Sequence, residues 1–177
     1  MFNQFRYLIA DLKRWRFSTY KDLFYLIFEP SIWVTILYRL TRILFLINIP
    51  IFKYLMRIAG FFIYKFTEIV FGVSIPPGTN IGPGLYIGHT GSIRINYDVI
   101  AGKNLNIGLG VIIGHAGFGR KGVPVLGDNV FVGTGAKVLG NIKIGNNVRI
   151  GANAFVVKDV PDNATAVGVP ARIIKTN

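Results

Sequence analysis

A period of six residues runs through the second part of the chain and limits the possible folds more than any other feature. Counted in sixes from Ile75, and counted again from Leu126, every position carries an aliphatic side chain. The thirteen positions are Ile75, Ile81, Ile87, Ile93, Val99, Leu105, Val111, Leu126, Val132, Val138, Ile144, Ile150 and Val156. Neither an α-helix nor a β-hairpin repeats every six residues, whereas one short side of a triangular β-solenoid does.

Glycine follows the repeated aliphatic residue at many of these positions, where it would relieve the backbone at a corner. These glycines are Gly82, Gly88, Gly127, Gly133, Gly145 and Gly151. We therefore predict a mainly β domain in which three hexads make one coil. Each repeated aliphatic side chain is expected to point inward and to stack on its counterpart one coil away.

The period is interrupted once between its two runs. From Val111 to Leu126 the interval is 15 residues, where twelve would keep the phase. The segment GHAGFGRKGVP, residues 114–124, is therefore predicted to leave the solenoid as a glycine-rich, basic loop. Loops held by a rigid scaffold are common places for functional residues.

Composition changes sharply near Gly72. Residues 1–72 hold 19 of the 24 aromatic residues but only 2 of the 21 glycines. Apolar residues recur there at three- and four-residue spacing, as in FSTYKDLFYLIF and SIWVTILYRLTRILF, which indicates helices. Pro30 suits a helix start, and Pro50 suits a break between helices. The sequence predicts an α-helical segment over 1–72, serving packing, oligomer or membrane-surface contact, followed by the β domain over 73–177.

The net charge of +12 favours anionic partners, including phosphorylated ligands and membrane surfaces. Basic residues that lie among the aromatic ones are candidates to meet anionic lipid headgroups, namely Arg39, Arg42, Lys53, Arg57 and Lys65. Uncharged stretches such as residues 43–52 are about half the ~20 residues of a spanning helix, so no transmembrane segment is expected. The absence of cysteine and the presence of only two histidines argue against a metal site, and no motif predicts nucleic-acid binding.

Several motifs together resemble one family. They are YRLTRILF in the helical part, IPPGTNIGPGLYIGHTGSI, GTGAKVLGNIKIGNNVRIGANAFVVKDVP and the closing AVGVPARII. The chain resembles the hexapeptide-repeat acyltransferases, which fold as a left-handed parallel β-helix. More narrowly, it is similar to the serine-acetyltransferase-like O-acetyltransferases of bacterial polysaccharide and capsule biosynthesis.

The resemblance implies transfer of an acetyl group from acetyl-CoA to a hydroxyl, with a histidine as the general base. Imidazole changes its charge between about pH 5 and 8, which suits this role. The family's base corresponds to His89. His115 is the competing candidate, because galactoside and maltose acetyltransferases carry their histidine in a projecting loop; a supporting contact to the thioester or the acceptor is its other expected role.

The sequence departs from serine acetyltransferases at four positions. Ser74 and Gly88 replace aspartates, Tyr97 replaces a glutamate, and Val123 replaces the loop histidine before a proline. Because a zwitterionic acceptor needs its ammonium matched by a carboxylate, these changes predict a neutral saccharide hydroxyl or a lipid-linked glycan instead. The residues expected to bind this acceptor are Ser74, Tyr86, Asn96, Tyr97 and Phe118. The partner that orients His89 is left open between Ser74, a backbone carbonyl and the acceptor itself.

The resemblance also places acetyl-CoA in a groove between adjacent solenoids of a homotrimer. The residues that match the family's cofactor contacts are Gly114, Thr134, Ala152, Lys158, Arg172 and Lys175. Gly114 would donate its N–H to the thioester oxygen, and the basic residues near the C-terminus would neutralise the nucleotide phosphates.

The predicted function is an acetyl-CoA-dependent O-acetyltransferase of cell-surface polysaccharide biosynthesis, with His89 as the base. The alternatives are a serine O-acetyltransferase of cysteine biosynthesis and a non-catalytic solenoid scaffold. The predicted location is the cytoplasm, with peripheral contact to the inner face of the cytoplasmic membrane.

Overall fold

In the part of the chain that the structure describes, three helices precede the β domain. The structure, a computed structural model, describes residues 2–15, 28–50, 52–117 and 121–175, with the side chain of Lys175 outside the description. Helix α1 spans Phe2–Leu12, α2 spans Pro30–Leu46 and α3 spans Phe52–Phe71. Helix α2 begins at Pro30 and the break before α3 contains Pro50, as predicted. The predicted helical run FSTYKDLFYLIF lies almost entirely outside the described residues.

Fifteen short strands follow within the described residues, beginning one residue after α3 ends. They are β1 Val73–Ser74, β2 Asn80–Ile81, β3 Tyr86–Ile87, β4 Ile93–Ile95, β5 Ile100–Ala101, β6 Asn106–Ile107, β7 Ile112–Gly114, β8 Val125–Leu126, β9 Phe131–Val132, β10 Lys137–Leu139, β11 Lys143–Ile144, β12 Arg149–Ile150, β13 Phe155–Val156, β14 Ala164–Val167 and β15 Arg172–Lys175.

Up to β13, every third strand pairs in parallel, so the strands form the three sides of a triangular β-helix. The sides have the orders β1-β4-β7-β10-β13, β11-β8-β5-β2 and β15-β14-β12-β9-β6-β3. We call them the first, second and third sides. Only the last strand, β15, returns antiparallel, on β14. The mainly β, parallel architecture with an N-terminal helical segment is therefore as predicted.

All thirteen repeated aliphatic residues are buried in one core, but the predicted stacking is wrong in the first coils. Ile81 is paired with Ala101 and not with Val99, and Ala101 is paired with Leu126. Alternate residues of a strand face the same way, so Val99 and Ala101 both point inward. Counting in sixes therefore reached Val99, which is buried and aliphatic but is not the residue that stacks on Ile81.

A ladder of asparagines, which the aliphatic period gives no sign of, stabilises one corner. Asn104, Asn129, Asn147 and Asn163 all have positive φ, between 56° and 58°. The side-chain Nδ2 of each of the first three donates to the side-chain Oδ1 of the next asparagine, at 2.8 to 2.9 Å. Asparagine is the residue other than glycine that adopts this conformation most readily, because its short side chain bonds locally.

Helix α2 is attached to the first coil by polar side chains. The Tyr38 hydroxyl donates to the Thr79 carbonyl at 2.8 Å, and Arg42 donates to the carbonyl of Pro77 at 2.9 Å. Arg39 and Arg42 are buried, so their predicted contact with lipid headgroups is wrong. In the part of the chain that the structure describes, no helix has both the length and the apolarity required to cross a bilayer.

Candidate active site

The two histidines lie at the two places where a coil is longer than its neighbours. Eight residues separate Ile87 from Ile95, whereas six separate their partners Ile107 and Ile113. The two additional residues belong to the corner that carries His89. The other enlargement is the loop between β7 and β8, which opens at His115. A regular hexad leaves no room for such insertions, so both histidines project from irregular backbone.

His89 lies at the corner between the third and first sides, and its side chain is exposed. Thr134 and Ala152 occupy the same corner in the coils below, as the matching hydrogen bonds of Gly88, Gly108 and Gly133 show. The N–H groups of these three glycines donate to carbonyl oxygens one coil away, which belong to Ile107, Val132 and Ile150 in turn. The coils approach closely, since a Cβ on Gly108 would lie 2.6 Å from the Thr134 nitrogen. One corner therefore presents His89, Thr134 and Ala152 in a row.

His115 lies at the next corner, between the first and second sides. Its Nδ1 is 3.0 Å from the carbonyl oxygen of Gly122, which clips the two ends of the loop together. A carbonyl only accepts, so Nδ1 carries the proton and Nε2 has the lone pair when the ring is neutral. Asn96 is adjacent, because a Cβ on Gly114 would lie 3.3 Å from the Asn96 Cβ.

The predicted acceptor residues do not form one cluster around His89. Ser74 is buried under α3, where its hydroxyl is 2.7 Å from that of Tyr64. Asn96 and Tyr97 belong to the His115 corner. Phe118 lies outside the described residues.

Tyr86 faces outward on the third side and contacts the end of the first helical stretch. Its ring centroid is 4.9 Å from that of Trp15, and the Arg14 guanidinium lies 5.6 Å from the same ring. Arg14 also donates to the Asn106 side chain at 2.9 Å. Trp15 and Arg14 were not among the predicted site residues, since nothing in the sequence near them marks a contact with a strand 70 residues away.

Tyr97 is held in place by one contact with the backbone and one with an aromatic ring. Its ring lies directly over Gly78, so closely that a Cβ on Gly78 would collide with it. It also meets Phe45 edge-on, with 6.1 Å between ring centroids. These contacts give Tyr97 a packing role whether or not it touches an acceptor.

A cavity of about 440 Å³ lies at the C-terminal end of the β-helix. Lys158 and Arg172 both line it, together with Pro170, which follows a cis peptide bond after Val169. Two cationic side chains above an apolar floor can hold a group that joins phosphates to an apolar arm. Lys175 ends β15, beside Ala164, and its side chain is outside the description.

Glu68 is a carboxylate close to the first coil that the sequence did not single out. It accepts a hydrogen bond from Lys65 at 2.7 Å and lies 3.6 Å from the guanidinium of Arg94. The Lys65 hydrogen bond is the main reason why the pKa of the Glu68 carboxyl lies below its ordinary value, and the Ser74 hydroxyl contributes. In the described part of the chain, no three histidine, aspartate or glutamate side chains are grouped as a metal site would require.

Comparison with known proteins agrees with this architecture. Residues 124–158 match the family model described as bacterial transferase hexapeptide (six repeats). A serine acetyltransferase of Mycobacterium tuberculosis is 48% identical over 111 residues, which are 62% of this chain and 48% of that protein. One of Synechococcus elongatus is 42% identical over 109 residues, which are 61% of this chain and 45% of that protein. The chain thus spans just under half the length of these relatives.

Solved structures extend the similarity to the helices. The serine acetyltransferase of Neisseria gonorrhoeae in complex with serine aligns over 97% of this chain and 69% of its own, with 30% identity and a TM-score of 0.82. A serine acetyltransferase in complex with CoA aligns over 97% of this chain and 70% of its own, with 27% identity and a TM-score of 0.81. The chain belongs to the family of bacterial hexapeptide-repeat transferases.

These relatives overturn the predicted saccharide or lipid-linked glycan acceptor, and with it the assignment to polysaccharide biosynthesis. The relatives by sequence and by structure are named serine acetyltransferases, which favours the alternative that was set aside. The error came from treating four positions as the only places where a charged acceptor can be held. A carboxylate elsewhere on the folded chain or on a second copy can do the same, because the attraction depends on distance in space and not on sequence position.

Proposed function

We propose that this protein is an acetyl-CoA-dependent serine O-acetyltransferase. The observation that carries the proposal is the 42–48% identity to serine acetyltransferases over 109–111 residues, supported by the structural alignment over 97% of the chain to the serine complex. The helices and the solenoid align together, so the support comes from the whole arrangement and not from the repeat alone.

In this proposal His89 is the general base. Its imidazole accepts the proton of the serine hydroxyl while that oxygen attacks the thioester carbonyl of acetyl-CoA. Collapse of the tetrahedral intermediate breaks the carbon–sulfur bond, and the proton passes from the imidazolium to the leaving CoA thiolate. The exposed position of His89 on an enlarged corner leaves room for both reactants. Gly114 remains the proposed donor to the thioester oxygen.

Acetyl-CoA would lie along the corner that carries His89, Thr134 and Ala152. Small side chains in this row allow the pantetheine arm to approach the backbone, and the cavity with Lys158 and Arg172 would receive the phosphates. In this assignment the cofactor extends along the β-helix axis from His89 in the first coil to the cavity at the C-terminal end. Lys175 would add a further positive charge there.

We propose a homotrimer, because the residues of the site are divided between two corners of one chain. His89 lies where the third side meets the first, whereas Asn96, Tyr97 and His115 lie where the first side meets the second. A groove between two copies would bring one corner of each together. The resemblance to the hexapeptide-repeat acyltransferases also supports a left-handed coil for the β-helix.

Serine carries an ammonium group, which requires a carboxylate in the site. Asp98 is exposed at the His115 corner, next to Tyr97, and it forms no ion pair with any residue the structure describes. In the trimer this carboxylate would face the corner of a neighbouring chain. We therefore propose Asp98 as the partner of the serine ammonium.

The test is release of CoA from acetyl-CoA by the purified full chain, measured with a thiol reagent. Serine should stimulate release, and alanine, which has the same charged groups without the hydroxyl, should not. His89→Gln should lower the serine-dependent rate by about 10²–10⁴-fold. Absence of stimulation by serine in a folded, trimeric preparation would reject the proposal and favour the scaffold alternative. Equal serine-dependent rates for wild type and His89→Gln would reject His89 as the general base.

A further inference from the structure

Helix α3 presents an apolar face to solvent. Its inner side packs on α2, where a Cβ on Gly60 would lie 3.6 Å from the Leu44 Cβ, and only Gly60 and Thr67 are fully buried. Nine large apolar side chains remain exposed, with Ile69 reaching 81%. These are Phe52, Tyr54, Leu55, Ile58, Phe61, Phe62, Phe66, Ile69 and Val70, and we call them the α3 outer face.

The α3 outer face is too large to be ordinary surface. Tyr54, Ile58, Phe62 and Ile69 recur at four- or seven-residue spacing and form one stripe along the helix, opposite the side that meets α2. Each such side chain gains roughly 1.5–3 kcal/mol when it leaves water. Contiguous apolar patches of several hundred Å² on soluble proteins usually mark a contact with another surface.

Basic side chains near the α3 outer face place their charged groups over aromatic rings. The Lys53 ammonium is 4.9 Å from the Tyr54 ring centroid, and the Arg57 guanidinium is 5.2 Å from that of Phe45. The Lys65 ammonium is 5.1 Å from the Tyr64 ring centroid. A long basic side chain placed in this way keeps its charge at the boundary between an apolar layer and water.

We propose that the α3 outer face docks on a lipid bilayer that contains anionic lipid, with α3 lying in the plane of the interface. An aromatic face bordered by lysine and arginine is the arrangement that binds at the level of the headgroups. Such docking requires no spanning segment, in keeping with the absence of a suitably long, apolar helix in the described residues. The nine apolar side chains enter the acyl boundary while Lys53 and Arg57 meet lipid phosphates.

Charge favours a bilayer over a second copy of the chain as the occupant. Residues 1–72 contain 10 Lys and Arg and 4 Asp and Glu, a net charge of +6. Pairing two copies through α3 would bring two such segments together, whereas an anionic surface attracts each of them. The proposal concerns only where the protein lies, so it stands or falls independently of the acyl-transfer reaction.

The test is flotation of the full chain with vesicles of phosphatidylcholine alone and of phosphatidylcholine with phosphatidylglycerol. We expect binding to the anionic vesicles that weakens as salt is raised from 50 to about 500 mM, because surface charges are then screened. Ile58→Glu and Phe62→Glu should each lower the bound fraction at least tenfold. Replacing Lys53 and Arg57 by glutamine should weaken binding by about fivefold per cation removed.

Ile9→Glu on α1 is the matched control, since Ile9 is 54% exposed and Ile58 is 55% exposed. It should bind vesicles as the wild type does, and circular dichroism should show that all variants are folded. Equal loss in the Ile9 and Ile58 variants would overturn the assignment to α3, and no binding to anionic vesicles at low salt would overturn docking itself. A fall in particle mass in Ile58→Glu, measured in the absence of lipid, would identify a second copy as the occupant and likewise reject the proposal.

Discussion

Arg39 on α2 and Asp11 on α1 form an ion pair in which both side chains are fully buried, with 2.7 Å between Nε and Oδ2. Arg39 also donates to the carbonyl of Ile81 at 2.8 Å, and Asp11 accepts from the N–H groups of Gly84 and Leu85 at 2.7 and 2.8 Å. Burial raises the pKa of the Asp11 carboxyl, and the Arg39 hydrogen bond opposes this effect. The pair therefore attaches two helices to the first coil of the β-helix.

Removing one member of this pair should be strongly destabilising. Arg39→Met keeps the length of the side chain but leaves the Asp11 carboxylate buried without its cation, which costs about 3–5 kcal/mol. The free energy of unfolding, measured by urea denaturation, should fall by this amount. Arg94→Met is the matched control. The Arg94 side chain is 69% exposed and its ion pair with Glu68 is long, at 3.6 Å, so its loss should change stability by less than about 1 kcal/mol. Equal effects in the two variants would contradict a structural role for the buried pair.

The asparagine ladder gives a second stability prediction. Asn129 has φ 57° and bonds to both Asn104 and Asn147. Asn129→Ala loses both hydrogen bonds and strains the backbone, whereas Asn129→Gly loses only the bonds, so the alanine variant should be less stable by about 1 kcal/mol. Thermal unfolding of the two variants measures this difference. A glycine variant no more stable than the alanine variant would show that backbone strain is unimportant there.

His115 should contribute less to turnover than His89. Its Nδ1 is engaged with Gly122, so His115→Ala opens the loop clip and removes a supporting contact. We expect kcat with serine to fall about tenfold or less, against the 10²–10⁴-fold loss for His89→Gln. If His115→Ala were the more damaging of the two, the principal base would have to be reassigned to His115.

Arg172 should affect the affinity for acetyl-CoA more than the chemical step. It lines the C-terminal cavity with Lys158, far along the β-helix from His89. Loss of one charge-assisted phosphate contact weakens binding by about 1.5–3 kcal/mol, so Arg172→Ala should raise KM for acetyl-CoA roughly 10–100-fold with little change in kcat. Arg149→Ala, which removes an arginine that does not line the cavity, serves as the control. A raised KM for acetyl-CoA in Arg149→Ala alone would show that the nucleotide does not bind in the C-terminal cavity.

Asp98 should determine affinity for serine if it pairs with the ammonium group. Asp98→Asn keeps the shape of the side chain and removes its charge, so KM for serine should rise at least tenfold while KM for acetyl-CoA is unchanged. Initial rates at varied serine concentration measure the effect. Asp128→Asn, an exchange of the same kind at a surface pair with Lys103, should leave KM for serine unchanged. An unaltered KM in Asp98→Asn would show that another group holds the ammonium.

Much of the fold follows from the sequence because the hexad pattern is local. The period fixes which side chains face the core, and the aliphatic residues at those positions are all buried. Pro30 and Pro50 likewise marked helix boundaries through their own backbone restrictions. The stacking partners were not fixed in this way, since Ile81 meets Ala101 only after the two additional residues of the His89 corner are counted.

The site was harder to predict because its residues are brought together by contacts between distant parts of the chain. The sequence identified His89 as a candidate through its motif and His115 through its position at the start of a projecting loop, both by resemblance to known acyltransferases. Only the coiling of the chain shows that they occupy different corners, and that Arg14 and Trp15 reach Tyr86 across 70 residues.

The sequence by itself predicted a β-solenoid with an apolar core, a basic, aromatic-rich helical segment before it, and two candidate histidines. These depend on the periodicity and chemistry of neighbouring residues. The tertiary structure decided the register between coils, the burial of Arg39 and Arg42 and the exposure of the α3 outer face. Such features depend on which distant segments meet, and contacts in space are set by the length of every coil and loop between them.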